Sequence, residues 1–178
     1  VILSGGIDLS VGAVIAFTTV FSAFLLETTG LSPAIVIPLV LLIGVVQGAF
    51  VGTIIHYFKV QPFIVTLASM FFFRGMCFVI STDAITITNE FYRAVALFRI
   101  PLIGKTFISI NVVIVLVVLL VALYLAHLTR FGRTVYAIGG SEQSALLMGL
   151  PVARTKILVY TLNGFCSALA GVVFSIYM

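Results

Sequence analysis

Charged side chains are scarce in this chain. Its 178 residues include nine Lys and Arg and five Asp and Glu, so that only 8% are charged, and tryptophan is absent. A soluble domain has roughly a quarter of its residues charged. So few charges cannot cover a water-facing surface, and the 62% of residues that are hydrophobic must face lipid or one another. The composition therefore excludes a soluble globular domain.

The motifs of several enzyme classes are also missing. The sequence has no GxxxxGK[ST] phosphate loop, no HExxH pair and no nucleophile elbow. Cys77 and Cys166 lie in apolar stretches without the spacing of a disulfide framework or a metal site. The basic residues form no stripe with interleaved aromatics, which argues against nucleic acid as a partner. We therefore predict no catalytic residue, no metal site and no cofactor bound by this chain.

The apolar residues fall into long runs. A bilayer core needs about 20 apolar residues in helical form, and five windows reach or approach that length. This pattern predicts an all-α fold, a polytopic transmembrane helix bundle in one partial domain. The predicted spans are residues 9–26, 33–57, 62–81, 108–128 and 157–178.

The connections between the spans differ in charge. The 58–61 and 129–156 connections share one side and carry Lys59, Arg130, Arg133, Arg154 and Lys156. The other side carries Arg93, Arg99 and Lys105 in the 82–107 segment. Because Lys and Arg favour cytoplasmic connections, we place 129–156 in the cytoplasm and 82–107 in the periplasm. The chain starts with Val1 and is apolar up to Met178, so we expect it to be a fragment of a longer membrane protein.

The 129–156 connection contains a short predicted helix. Gly139 and Gly140 are predicted to break the chain, and Ser141 is a favourable N-cap. Glu142 then lies in the first turn, where a negative charge suits the helix dipole. Gly149 suits a left-handed C′ position, and Pro151 prevents continuation. The helix, with Ala145, Leu146 and Met148 as its apolar patch, is either a simple connector or a docking element for a cytoplasmic partner.

Several polar or small residues in the spans allow two interpretations. Asp8 and Ser10 after two glycines can cap a helix or face a substrate cavity, as helix ends inside transporters do. Arg74 either faces the bundle interior or extends to the interface. Gln47, Gln61, Thr66 and Asn163 could meet a hydroxyl-rich ligand or join helices. Gly44, Gly48 and Gly52 form a small-residue face for close helix packing. The candidate pathway residues are Gly5, Gly6, Asp8, Ser10, Arg74 and Asn163.

Two blocks of sequence resemble a known family. VILSGGIDLSVGAVIAF at the start and the block from RFGRTVYAIGG to AGVVFSIY are similar to the membrane permeases of bacterial monosaccharide ABC importers. The sequence segments FFFRGM and AHLTRFGRTVYAIGG most closely resemble those of permeases from galactofuranose importers. Ser141 replaces a common asparagine, and Asn163-Gly164 replaces a common serine-glycine, which weakens any assignment of the exact sugar.

The resemblance implies a multi-pass permease of the bacterial inner membrane that imports a monosaccharide. Its implied partners are an ABC ATPase subunit, a periplasmic sugar-binding protein, a second permease subunit and membrane lipid. ATP and Mg would be bound by the ATPase, because this chain is not itself an enzyme. The alternative is a secondary transporter or channel subunit that needs no ATPase. The residues implied to couple to the ATPase are Gly139, Gly140, Ser141, Glu142, Ala145, Met148 and Gly149.

Overall fold

The computed structural model describes residues 1–101 and 107–177, and within them the fold is a helix bundle. Five helices are long and apolar enough to cross a membrane, which confirms the predicted all-α bundle with five spans. A small antiparallel hairpin, β1 (Arg99–Pro101) with β2 (Phe107–Ser109), lies between the third and fourth of them. The helices are α1 (Val11–Thr28), α2 (Pro33–Tyr57), α3 (Pro62–Ile80), α4 (Glu90–Leu97), α5 (Ile110–Leu128), α6 (Arg130–Gly140), α7 (Glu142–Leu147) and α8 (Val152–Ser175).

Some helices begin at different residues from the predicted spans. The helix α1 begins at Val11 rather than at residue 9, and α8 begins at Val152 rather than at residue 157. The helix α8 starts earlier because its backbone hydrogen bonding continues into the polar turn that contains Arg154 and Lys156. The helix α1 starts later because the Ser10 N–H bonds to the Asp8 side chain in a turn before it. Lys105 and the predicted end at Met178 lie outside the described residues.

The break predicted at Gly139 and Gly140 lies one residue later, at Ser141. The helix α6 includes both glycines and ends at Gly140, and the N–H of its C-cap residue Ser141 donates to the Ala137 carbonyl at 3.1 Å. Glycine lowers helix stability by only about 1 kcal/mol, so both glycines can form the last residues of α6. At Gly139 an added Cβ would overlap the Leu3 carbonyl, so this glycine permits close backbone contact.

The centre of the bundle is a contact between α2 and α8. An added Cβ on Gly44 would overlap Ala168, one on Gly48 would overlap the Tyr160 carbonyl, and one on Gly164 would overlap the Gly44 carbonyl. The two backbones therefore touch where side chains are missing. This confirms the predicted small-residue face of α2, a device that brings helices together in lipid.

The helices α1 and α3 complete one side of the bundle. The α1 helix packs along α8, where Thr19 Oγ1 donates to the Gly171 carbonyl at 3.1 Å. The α3 helix packs on α1, with the rings of Phe17 and Phe73 meeting edge to face at a centroid distance of 5.0 Å. Of the five long helices, α5 is the least buried, and within the described residues it packs mainly against α6.

At the end of the bundle where α1 ends, the 82–89 segment is hydrogen-bonded to that helix. The Glu27 carboxylate accepts hydrogen bonds from the backbone N–H of Thr88 at 2.6 Å and from its hydroxyl at 2.7 Å. The helix α4 follows, and the Asn89 side chain accepts from the Phe91 N–H at 3.0 Å. Burial raises the pKa of Tyr92, and the nearby Ser175 hydroxyl partly offsets the rise, so Tyr92 is neutral at physiological pH.

Candidate functional site

The residues before α1 form an irregular segment that ends in a carboxylate with both oxygens engaged. Asp8 Oδ1 accepts from the Ser10 N–H at 2.8 Å and from the Ser10 hydroxyl at 2.6 Å. Asp8 Oδ2 accepts from the Asn163 amide of α8 at 2.7 Å. The structure thus brings together Asp8, Ser10 and Asn163, which the sequence predicts separately.

This contact lies deep in the bundle. Asn163 is about three turns into α8, roughly 16 Å from the start of that helix at 1.5 Å per residue, and α8 has 24 residues. In a bilayer, non-helical backbone at such depth is tolerated only where protein surrounds it or where it lines a water-filled cavity. The non-helical segment before α1 therefore lies at a depth where its backbone needs protein or a water-filled cavity around it.

Two side chains from other helices extend the site. Gln47 Nε2 of α2 donates to the Ser10 hydroxyl at 3.3 Å and to the Ser69 hydroxyl of α3 at 3.0 Å. We refer to Asp8, Ser10, Gln47, Ser69 and Asn163 as the polar cluster. It connects α1, α2, α3 and α8 through hydrogen bonds between side chains.

The two glycines before Asp8 have different roles. Gly5 ends a single 3₁₀ turn at Ile2–Ser4 and has a φ of 72°, in the left-handed region that glycine adopts without strain. A Cβ added at Gly6 would lie 2.6 Å from the hydroxyl oxygen of Tyr160. That hydroxyl donates to the Ile7 carbonyl at 3.4 Å. Gly6 thus allows the segment to approach α8 closely.

Two grooves flank the polar cluster. The groove between α1, α2 and α3 has a volume of about 820 Å³, and its polar side chains are Gln47 and Ser69. The groove between α5, α6 and α8 has a volume of about 460 Å³, and Asn163 lies in its wall. Both volumes fall in the range of about 300–1,000 Å³ that is usual for small-molecule sites. Different members of the cluster thus reach different grooves.

Other predicted polar residues lie outside the cluster. Arg74 is exposed on α3, and within the part of the chain that the structure describes its guanidinium makes no hydrogen bond to the protein. Gln61 is exposed before the start of α3, and the Thr66 hydroxyl donates to the Pro62 carbonyl of its own helix. Across residues 1–101 and 107–177, no three or more His, Cys, Asp or Glu side chains form a group that could hold a metal ion.

Ser69 is the member of the cluster that the sequence analysis missed. A small hydroxyl within an apolar span usually bonds to the carbonyl one turn earlier in its own helix, as Thr66 does. The spacing of Ser69 could have indicated its place in the site. Ser69 follows Thr66 by three residues and therefore shares a face of α3 with it.

The short helix α7 lies at the end of the bundle where α8 begins. The Ser141 hydroxyl accepts from the Ser144 N–H at 3.2 Å, as the predicted N-cap requires. Gly149 has a φ of 73°, as the predicted left-handed C′ position requires. Glu142 forms an ion pair with Lys156 of α8 at 2.6 Å.

The predicted apolar patch of α7 is divided between two faces. Ala145 is completely buried against Ile138 and Val152, which attaches α7 to α6 and α8. Leu146, Leu147 and Met148 are exposed. The exposed group forms an apolar surface at the tip of the connection, which monomeric proteins rarely keep without a partner or lipid to cover it.

Comparison with known proteins gives consistent matches along the whole chain. The family model described as "Branched-chain amino acid transport system / permease component" matches residues 1–178. The inner membrane ABC transporter permease protein YjfF of Escherichia coli K12 is 47% identical over 99% of this chain and 54% of its own length. The fructose import permease protein FruG of Bifidobacterium longum is 44% identical over 98% of this chain and 53% of its own.

A ribose import permease protein, RbsC of Haemophilus influenzae, is 41% identical over 97% of this chain and 53% of its own length. The chain therefore spans about half the length of the curated relatives it matches. No solved structure gives a significant match.

Proposed function

This chain belongs to the branched-chain amino acid transport system / permease component family, and on that premise we propose that it is part of the membrane permease subunit of a sugar importer. Its five apolar helices make it a multi-pass membrane protein. The names of two of its relatives, a fructose import permease and a ribose import permease, support a monosaccharide as the substrate. So does the name of the D-allose transport system permease protein of Escherichia coli K12, which is 36% identical over 97% of this chain. The bacterial inner membrane is the proposed location.

The observation that carries the proposal is the polar cluster where the irregular segment meets the start of α1. The cluster combines carboxylate acceptors, amide donors and hydroxyls that do both, which is the mixture that sugar hydroxyls require. Gly5, Gly6, Asp8, Ser10 and Asn163 are the proposed pathway residues. Arg74 is exposed on α3 and makes no hydrogen bond to the cluster within the described residues, so we leave it out of this set.

We propose that α7 receives the driving force. Lys and Arg residues near this end favour a cytoplasmic position for the 129–156 connection. There the exposed Leu146, Leu147 and Met148 are available to an ABC ATPase subunit, which would bind ATP and Mg. A periplasmic sugar-binding protein and a second permease subunit complete the proposed assembly.

Deleting the ATPase tests this proposal. Cells carrying the full-length permease would be given radiolabelled D-ribose, D-fructose, D-allose or galactofuranose. Galactofuranose is included because the segments FFFRGM and AHLTRFGRTVYAIGG resemble those of galactofuranose permeases. We expect uptake of one of these sugars by cells that contain the ATPase and none by cells that lack it. Undiminished uptake without the ATPase would favour a secondary transporter or channel instead.

A further inference from the structure

An ion pair joins the start of α7 to the second turn of α8. Glu142 Oε2 and Lys156 Nζ are 2.6 Å apart, and their side chains are 46% and 19% exposed. Exposed ion pairs contribute little to folding stability, because water and salt screen them. The position that this pair imposes on α7 is therefore of more interest than its energy.

The pair gives α7 a second point of attachment. Ala145 packs against Ile138 and Val152 in one small apolar cluster. The Leu150 N–H donates to the Ala145 carbonyl at 3.1 Å, so these contacts hold α7 at Ala145. The Glu142–Lys156 pair holds the first residue of α7 against α8, so that α7 and the first turns of α8 move together.

The side chain of Lys156 also lies on a particular face of α8. Seven residues make about two helical turns, so Lys156 and Asn163 project from the same face, with Tyr160 between them. Tyr160 contacts the Ile7 carbonyl and Asn163 contacts Asp8. The helix α8 has no internal proline to bend it. A shift imposed at Lys156 therefore reaches the irregular segment before α1.

We propose that Glu142 and Lys156 are a positioning pair that transmits the displacement of α7 along α8 to the polar cluster. This inference rests on the proposed function, because it needs an ATPase that moves α7. It adds the residues through which the movement enters the span. Neither residue touches the sugar in this proposal, and both act through the position of α8.

Charge reversal and charge exchange test the pair. The full-length permease would be reconstituted with its ATPase and sugar-binding protein in proteoliposomes, with whichever of the four labelled sugars the wild type imports. The measured quantity is the ratio of sugar imported to ATP hydrolysed. We expect Glu142→Lys and Lys156→Glu each to lower this ratio by about fivefold or more, the usual size of a coupling between distant sites.

The exchanged double variant, Glu142→Lys with Lys156→Glu, restores the pair in reverse and should return the ratio to within about twofold of wild type, because contacting residues compensate for each other. Lys156→Arg keeps the charge and should also retain the ratio. Arg154→Glu is the matched control, since it makes the same charge change on an exposed residue of the same helix. We expect it to leave the ratio unchanged.

Three results would overturn the inference. The single variants could keep the wild-type ratio, the exchanged variant could stay as low as the singles, or Arg154→Glu could lower the ratio as much as Lys156→Glu. Each of these leaves the proposed function intact, because the wild type still needs its ATPase. Wild-type uptake in vesicles without the ATPase would instead contradict the proposed function, and the inference with it.

Discussion

At the scale of single residues, both carboxylate oxygens of Asp8 are hydrogen-bonded within the bundle. Polar groups at membrane depth are costly unless they are hydrogen-bonded. Ser10 satisfies one oxygen of Asp8, and the Asn163 amide satisfies the other. Asn163 is the partner that comes from a different helix, so it contributes to the tertiary structure as well as to the site.

Removing that partner should destabilise the protein. Asn163→Ala deletes the donor to the half-buried Asp8 Oδ2, and we expect a loss of about 1 kcal/mol in the free energy of unfolding, the usual net contribution of one hydrogen bond. Thermal unfolding of the full-length permease in detergent measures this. Ser167→Ala is the control, because the Ser167 hydroxyl donates only within its own helix, to the Asn163 carbonyl. Equal shifts in both variants would show that the contact with Asp8 is unimportant for stability.

The individual site residues could be predicted from the sequence, but their contacts could not. Asp8 and Asn163 stand out as polar groups in apolar surroundings, yet their pairing depends on how α1 and α8 pack. The depth of Arg74 in the membrane could be predicted from the number of residues between it and the end of its span. The direction in which its side chain points depends on the neighbours of α3, and in the structure this side chain is exposed.

At the scale of elements, the close contact of α2 with α8 depends on three glycines, Gly44, Gly48 and Gly164. In lipid, helices associate through packing and hydrogen bonds, since lipid chains are as apolar as the side chains they would replace. Small residues allow the backbones to approach, and each added methyl group would push them apart.

Gly48→Ala should separate the two helices. Its methyl group would overlap the Tyr160 carbonyl, and overpacking of this kind costs about 1–3 kcal/mol. Gly75→Ala is the matched control, because a Cβ there meets no atom within 4 Å and alanine favours helix. Thermal unfolding in detergent should give a lower midpoint for the first variant and an unchanged or higher one for the second. A neutral result for Gly48→Ala would contradict the tight contact.

The helix α6 shows why some elements escape prediction. Its sequence, RFGRTVYAIGG, is too polar to span and ends in two glycines, so it was predicted as part of a polar connection. The structure forms a helix there because the Thr129 hydroxyl caps the Gly132 N–H at 3.1 Å and because Val135 and Ile138 are buried. Burial by neighbouring helices outweighs the weak intrinsic cost of the glycines.

At the scale of the whole molecule, α7 and the 82–89 segment lie at opposite ends of the bundle. The odd number of spans between them sets this arrangement, because each long helix reverses the direction of the chain. The distribution of Lys and Arg then favours α7 on the cytoplasmic side. The orientation of the bundle in the membrane can therefore be measured with a reagent that reaches only one side of the membrane.

Cysteine labelling tests this orientation. In a full-length background without other cysteines, Asp83→Cys and Ser144→Cys would each place a thiol at an exposed position. A membrane-impermeant maleimide should label the Asp83→Cys variant in intact spheroplasts and the Ser144→Cys variant only in inverted vesicles. The reverse pattern would place α7 on the periplasmic side, where a cytoplasmic ATPase could not reach it.

The glycine contact between α2 and α8 also has a thermodynamic consequence. The heat capacity change of unfolding comes from apolar surface newly exposed to water, and two helices that separate within a bilayer expose theirs to lipid. Their separation therefore changes the heat capacity very little, and its free energy varies almost linearly with temperature. Soluble cores held by apolar burial weaken on cooling, whereas this contact lacks that source of cold sensitivity.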